Sequence, residues 1–252
     1  MNKYFTVNAG GCSIRCKLYA GENADVRKVI LFGHGFGGHK DNRAAEKFAG
    51  KLLAKHKDAA VITFDWPCHG EDGRKNLTLE DCDTYLSNVL WYAKETLHAE
   101  DLCGYATSFG AFLFLKYTAE HGMPFRKLAL RCPAVNMYDS LCSRIMKEED
   151  HEKLAKGKPV LVGFDRKVRI TQEFLKELSA ADITKNEYFD WADDILILHG
   201  TSDEVVPFDS GREFAEQNLI EFIPVEKADH RFQNPVHMSL ANKYVMQFFD
   251  IR

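Results

Sequence analysis

The sequence predicts an α/β fold with a mostly parallel central sheet flanked by helices, and three observations carry that prediction. Residues 29–32, 60–64, 102–105, 128–130 and 195–198 are short, nearly unbroken apolar runs, the pattern of strands buried on both faces of a parallel sheet. Residues 43–56, 79–98 and 109–120 place apolar side chains at three- and four-residue spacing, the pattern of helices with one apolar face. Strand and helix alternate, as in a doubly wound sheet.

Taken in order, residues 3–7 and 14–19 are extended runs around the turn-forming Asn8-Ala9-Gly10-Gly11, which predicts an N-terminal hairpin. The strand and helix alternation then runs to Pro133. About sixty residues separate that point from the next apolar run at Ile195, far more than a simple crossover loop takes. This stretch is read as a small inserted cap, residues 137–191, dividing a core of residues 1–136 and 192–252. Within it, residues 140–156 read as one charged helix, residues 159–164 and 168–170 as a small hairpin, and residues 171–178 as a second helix. An extended run at 220–225 and a last helix at 236–249 complete the core.

Composition limits the function classes. The chain has 252 residues, 45% hydrophobic and 28% charged, which is ordinary for one soluble domain of this length. The net charge of -4 is mixed along the chain, with no basic stripe to track phosphates, so no nucleic-acid partner is expected. Seven cysteines at irregular spacing, with no CxxC pair, read as reduced thiols rather than a disulfide framework. Residues 1–11 carry one lysine and no signal-like apolar run, and no stretch approaches the roughly 18 apolar residues of a membrane span. The expectation is a cytoplasmic protein without a nucleic-acid or membrane partner, with a homodimer left open.

Ser108 stands between a buried run and a helix in Ala106-Thr107-Ser108-Phe109-Gly110. A sharp strand-to-helix turn there exposes a serine hydroxyl and needs small residues two before and two after it. Alanine replaces glycine at the first of these places. The competing reading is a plain N-cap for the helix. A hydroxyl nucleophile needs a base and an acid that orients it. Asp203 follows the run 195–198 in Gly200-Thr201-Ser202-Asp203, and His230 follows the run 220–225 in Ala228-Asp229-His230. The order Ser, Asp, His at three strand ends points to acyl transfer. Glu204 and His237 are the nearest rivals to the acid and base. The backbone N–H groups of Phe36, in Gly33-His34-Gly35-Phe36-Gly37-Gly38, and of Phe109 are the candidate oxyanion donors. Neither GxGxxG, GxxxxGK[ST] nor HExxH is present, so no cofactor and no metal are expected. His34, His69 and His199 each adjoin a glycine at a strand end, where hydrogen bonds to neighbouring loops account for them.

With His34-Gly35-Phe36-Gly37-Gly38, Asp65-Trp66-Pro67-Cys68-His69-Gly70, Ala106-Thr107-Ser108-Phe109-Gly110, His199-Gly200-Thr201-Ser202-Asp203 and Ala228-Asp229-His230, the sequence resembles the α/β-hydrolase family from Lys28 to Phe249. Its cap is similar to that of bacterial cinnamoyl and feruloyl esterases, with monoacylglycerol lipases and serine aminopeptidases as further relatives. The resemblance implies a serine hydrolase that cleaves a carboxylic ester, small or of an aromatic acid, with Asp139 in the acid-binding pocket. Phe164 and Trp191 are aromatic residues near predicted loops and complete the candidate substrate contacts. An aminopeptidase would use carboxylates such as Glu148, Glu149, Asp150 and Glu152 to hold an ammonium group. A lipase would use a larger apolar cap, and an inert binding module would use none of the triad.

Overall fold

A computed structural model describes residues 2–22, 24–164 and 166–250. The chain opens with an antiparallel hairpin, β1 (Asn2–Ala9) and β2 (Cys12–Ala20), turned at Gly10 and Gly11, both at positive φ. Then β3 (Lys28–Gly33), α1 (Arg43–Lys55), β4 (Ala59–Phe64), α2 (Leu79–Trp91), β5 (Asp101–Thr107), α3 (Phe109–His121) and β6 (Lys127–Arg131) alternate as the apolar pattern predicts. The stretch between β6 and β9 holds α4 (Met137–Ser140), α5 (Glu148–Ala155), the two-stranded β7 (Val160–Val162) and β8 (Val168–Ile170), and α6 (Gln172–Ala180). The chain returns through β9 (Ile195–Gly200), α7 (Phe208–Gln217), β10 (Glu221–Val225) and α8 (Pro235–Phe248).

The eight-stranded sheet has the order β1-β2-β4-β3-β5-β6-β9-β10, antiparallel at β1 and β2 and parallel from β4 to β10. Side chains alternate between its faces. Val29, Leu31, Ile62, Leu128, Ile195 and Ile197 face α2, α3, α7 and the stretch between β6 and β9 in one core. Ile30, Phe32, Val61, Tyr105, Leu196 and Leu198 face α1 and α8 in the other. The C-termini of the parallel strands β3, β4, β5, β6, β9 and β10 therefore end at one rim, where side chains from separate loops can meet.

Three elements differ from the sequence pattern. The helix expected over 79–98 ends at Trp91 and continues as one wider turn, Tyr92–Thr96, closed by Leu97 N–H on Tyr92 O. The helix expected over 140–156 is broken: a wider turn, Leu141–Ile145, stops at extended, buried Met146, and Asp150 then accepts from Lys147 N–H (3.0 Å) at the start of α5. Burying Met146 outweighs helix continuity, and the capping carboxylate starts the next helix. The sequence pattern assigned no element to α7, whose apolar face rests on Phe214 and Ala215. No helix among the described residues is long and apolar enough to cross a membrane.

Candidate active site

Ser108 occupies the turn between β5 and α3 at φ 53° and ψ -119°, a conformation that a non-glycine residue holds only when its surroundings enforce it. Its hydroxyl makes no capping bond to α3, so the N-cap reading does not describe it. The turn needs small neighbours: a Cβ on Gly110 would lie 2.6 Å from the carbonyl oxygens of both Gly33 and His34. On the other side Ala106 pairs across the ladder with Gly33 of β3. A Cβ at Gly33 would sit 3.3 Å from the Ala106 methyl and 2.9 Å from the Phe114 ring, so the glycine on the neighbouring strand makes room for the alanine at 106.

His230 lies in the loop after β10. Its Nε2 is 3.1 Å from Ser108 Oγ and its Nδ1 2.8 Å from Asp203 Oδ2. A donor Nδ1–H toward the carboxylate leaves Nε2 as the acceptor facing the hydroxyl. Asp203, in the loop after β9, is fully buried at its side chain. Oδ1 accepts from Val205 N–H and Val206 N–H, each 2.8 Å, and Oδ2 also faces His199 Nε2 at 3.2 Å. Burial alone would push the carboxyl up, but the bonds from His199, His230 and the Val206 amide, with the charge on His230, hold it well below the usual carboxylate range. The rivals separate: Glu204 accepts from the His230 main-chain N–H (3.3 Å), and His237 sits on α8.

His199 is the member of this site that sequence reasoning missed. It was assigned to loop hydrogen bonding, and its Nε2 does reach Val206 O at 3.2 Å, but the same nitrogen braces the back of Asp203. Helix α7 packs against it at Gly211, where a Cβ would come within 2.4 Å of His199 Nδ1.

The glycine-rich loop after β3 is clamped from below. Asp65 accepts from Lys40 N–H (2.6 Å) and Glu71 N–H (2.9 Å), and Trp66 Nε1 donates to His34 O (3.0 Å). His34 donates Nδ1–H to Gly35 O (2.8 Å) while its Nε2 accepts from Trp66 N–H (3.4 Å), and burial holds its pKa well below the ordinary value. His69 donates to Pro67 O (2.8 Å), stacks on Phe109 and is pulled down by burial to about 4. The Phe36 and Phe109 rings meet edge to face at 5.8 Å beside the serine. Among the described residues neither of their N–H groups has a hydrogen-bond partner. All of this opens into one cavity of about 700 Å³, lined by Ser108, His230, Phe36, Phe164 and Arg131 among others.

A family model described as the alpha/beta hydrolase fold matches residues 28–155, half of the sequence. The chain belongs to the α/β-hydrolase family. No curated protein matches it by sequence. Among solved structures, this α/β hydrolase is similar to Est1E from Butyrivibrio proteoclasticus with bound ferulic acid, at 19% identity and TM-score 0.75 over 98% of this chain and 99% of that one. It is similar to alpha/beta hydrolase domain-containing protein 10 from mouse, at 18% identity and TM-score 0.72 over 98% of each chain. A monoacylglycerol lipase from Paleococcus ferrophilus aligns at 15% identity and TM-score 0.66, over 94% of this chain and 98% of that one.

Of the three substrate contacts the sequence suggested in this α/β hydrolase, only Phe164 reaches the cavity, with the Arg231 guanidinium 5.1 Å over its ring. Asp139 is exposed on the short α4 and does not line it. Trp191 packs edge to face on Tyr188 at 6.4 Å and does not line it either. Both corrections have one cause: the chain between β6 and β9 packs its apolar face into the main core, which aims these two residues elsewhere. Two groups among the described residues are compact enough to hold an ion. One is Asp203 and His230 with the buried Cys132 thiol, which burial and the nearby Asp203 charge hold well above its ordinary pKa. The other is the surface trio Asp83, Glu120 and His121, where His121 already pairs with Asp83 at 2.9 Å.

Proposed function

We propose that this α/β hydrolase cleaves a carboxylic ester through an acyl-serine intermediate. The observation that carries the reading is the unbroken relay Asp203–His230–Ser108, with spacings of 2.8 and 3.1 Å, ending on a strained serine that faces a cavity. Ser108 Oγ attacks the ester carbonyl as its proton passes to His230 Nε2, and the Phe36 and Phe109 amides receive the developing oxyanion. The carbon–alkoxide bond then breaks, and His230 returns the proton to the departing alcohol. Water deprotonated by His230 attacks the acyl-serine, releasing the acid and restoring the serine. Asp203 holds the imidazole tautomer and offsets the imidazolium charge.

Phe36 and Phe164 in the cavity wall suit a small or aromatic acyl group, and the likeness to a ferulic-acid-bound esterase fits that choice. The aminopeptidase reading is less favoured, because Glu148, Glu149, Asp150 and Glu152 do not line the cavity.

Hydrolysis of p-nitrophenyl esters from acetate to decanoate, with methyl ferulate and an aminoacyl p-nitroanilide alongside, tests the reading against Ser108→Ala. Ester turnover that vanishes in the variant is expected. Turnover surviving in Ser108→Ala would remove the serine from the mechanism, and cleavage of the anilide alone would make the protein a peptidase.

A further inference from the structure

A cationic side chain buried in this cavity is not used by the acyl-transfer chemistry. Arg131 closes β6, with its carbonyl accepting from Ser108 N–H at 3.1 Å. Its side chain turns toward the α1 and α8 face, where it is only 6% exposed. There the guanidinium lies 5.1 Å over the Phe232 ring, and Nη1 donates to Met238 Sδ at 3.2 Å. Among the described residues its Nε has no hydrogen-bond partner and no carboxylate pairs with it. A buried guanidinium loses its hydration and ordinarily recovers it from an anion. Arg131, Phe232 and Met238 all line the cavity that holds Ser108, so an anion that enters this cavity can reach the guanidinium.

The wall above Arg131 has the same sign. Helix α1 starts there, and Arg43 and Lys47 line the cavity, exposed and without ion pairs among the described residues. Arg43 takes the first helical position, where the helix dipole disfavours a cation, so folding of α1 gives no reason for it. Arg166 also lines the cavity. Among the described residues the acidic one in the lining is Asp41, and its carboxylate is taken by Lys17 (3.1 Å), Lys40 (2.9 Å) and the Tyr4 hydroxyl (2.8 Å). The described lining is thus net positive in a chain whose net charge is -4, which attracts an anionic ligand and disfavours a cationic one.

We propose that the ester turned over at Ser108 carries an anionic group, a carboxylate or a phosphate, that seats on Arg131 beneath a mouth formed by Arg43 and Lys47. The proposal rests on the ester-hydrolase reading and names its substrate class. A guanidinium offers two parallel N–H donors to either oxyanion, and the exposed pair at the mouth speeds its approach.

The test is hydrolysis, followed by pH-stat, of two matched pairs: dimethyl adipate against monomethyl adipate, and 1-butyrylglycerol against 1-butyrylglycerol 3-phosphate. In one pair the anionic member should have the higher kcat/KM by about tenfold or more, the return of one charge-assisted contact, and the pair that responds tells carboxylate from phosphate. Arg131→Met should bring that ratio close to one. The exposed double variant Arg43→Gln/Lys47→Gln, which removes no core contact, should lower it by about threefold and flatten its salt dependence. A preference for the neutral ester in both pairs, or a ratio unchanged in these variants, overturns the proposal while leaving the esterase reading intact. Turnover of none of the four while p-nitrophenyl esters are still cleaved overturns the proposal alone, and failure on both sets overturns the esterase reading with it.

Discussion

At the scale of single residues, the site depends on how Asp203 is held. Four donors converge on a carboxylate with no solvent exposure at its side chain, so its charge is fixed before substrate arrives. Asp203→Asn keeps the shape but presents an amide N–H or an uncharged oxygen to His230, favouring the wrong imidazole tautomer. It should lower kcat by about 10³- to 10⁴-fold, measured on whichever p-nitrophenyl ester the wild type prefers. His199→Phe removes one donor from Oδ2 but leaves the other three. A smaller fall in kcat, about tenfold, is expected, with KM unchanged because His199 does not line the cavity; an altered KM at constant kcat would contradict a positioning role. Ser108, Asp203 and His230 were legible in the sequence because each follows an apolar run in a fixed order. His199 was not, because its role depends on which way a ring turns at the end of the buried strand β9, and Arg131 was not, because it follows the run 128–130 at the end of β6, where the sequence does not tell whether a charged side chain turns to solvent or inward.

At the scale of elements, the strand-to-helix turn shows why a departure from the expected glycine is tolerated. Ala106 stands where the G-x-S-x-G pattern has its first glycine, and the compensating glycine is Gly33 on the adjacent strand. The two positions should therefore respond unequally. Gly33→Ala would place a methyl group 2.9 Å from Phe114 and 3.3 Å from Ala106 and should destabilise the fold by about 1–3 kcal/mol. Ala106→Gly removes a methyl from the same space and should cost about 1 kcal/mol. Urea unfolding of the two variants measures the difference, and equal losses would show that the pair does not share one space. The same contrast marks what periodicity can reveal. Parallel strands were readable because both their faces are apolar. The break at Met146 was not, since it follows from where a methionine finds a buried position rather than from the local pattern.

At the scale of the whole molecule, two cores on opposite faces of one sheet bury ionisable rings that must stay neutral. His69 is held at about 4 by burial, against 6.5 for an ordinary histidine. His34 is lowered in the same direction by burial, then by its neighbour His69. In the unfolded chain both take up a proton as the pH falls through about 6.5, while the native state refuses it until far lower. The stability that comes from keeping these rings neutral is therefore complete above pH 6.5 and is lost as the pH falls toward 4. His69 alone accounts for about 3 kcal/mol of that loss. Asp203 does not contribute within this window: its carboxyl is depressed, so its share is present above the unfolded value near 4 and disappears only at more acid pH. Urea midpoints measured from pH 7.5 to 4.5 should fall steadily below 6.5, and His69→Phe, which keeps the stack on Phe109 without a titrating nitrogen, should flatten that fall. A wild-type midpoint that stays level down to pH 4.5 would mean that His34 and His69 are reached by protons in the native state, and that the loop carrying Phe36 opens far more readily than its clamp on Asp65 and Trp66 implies.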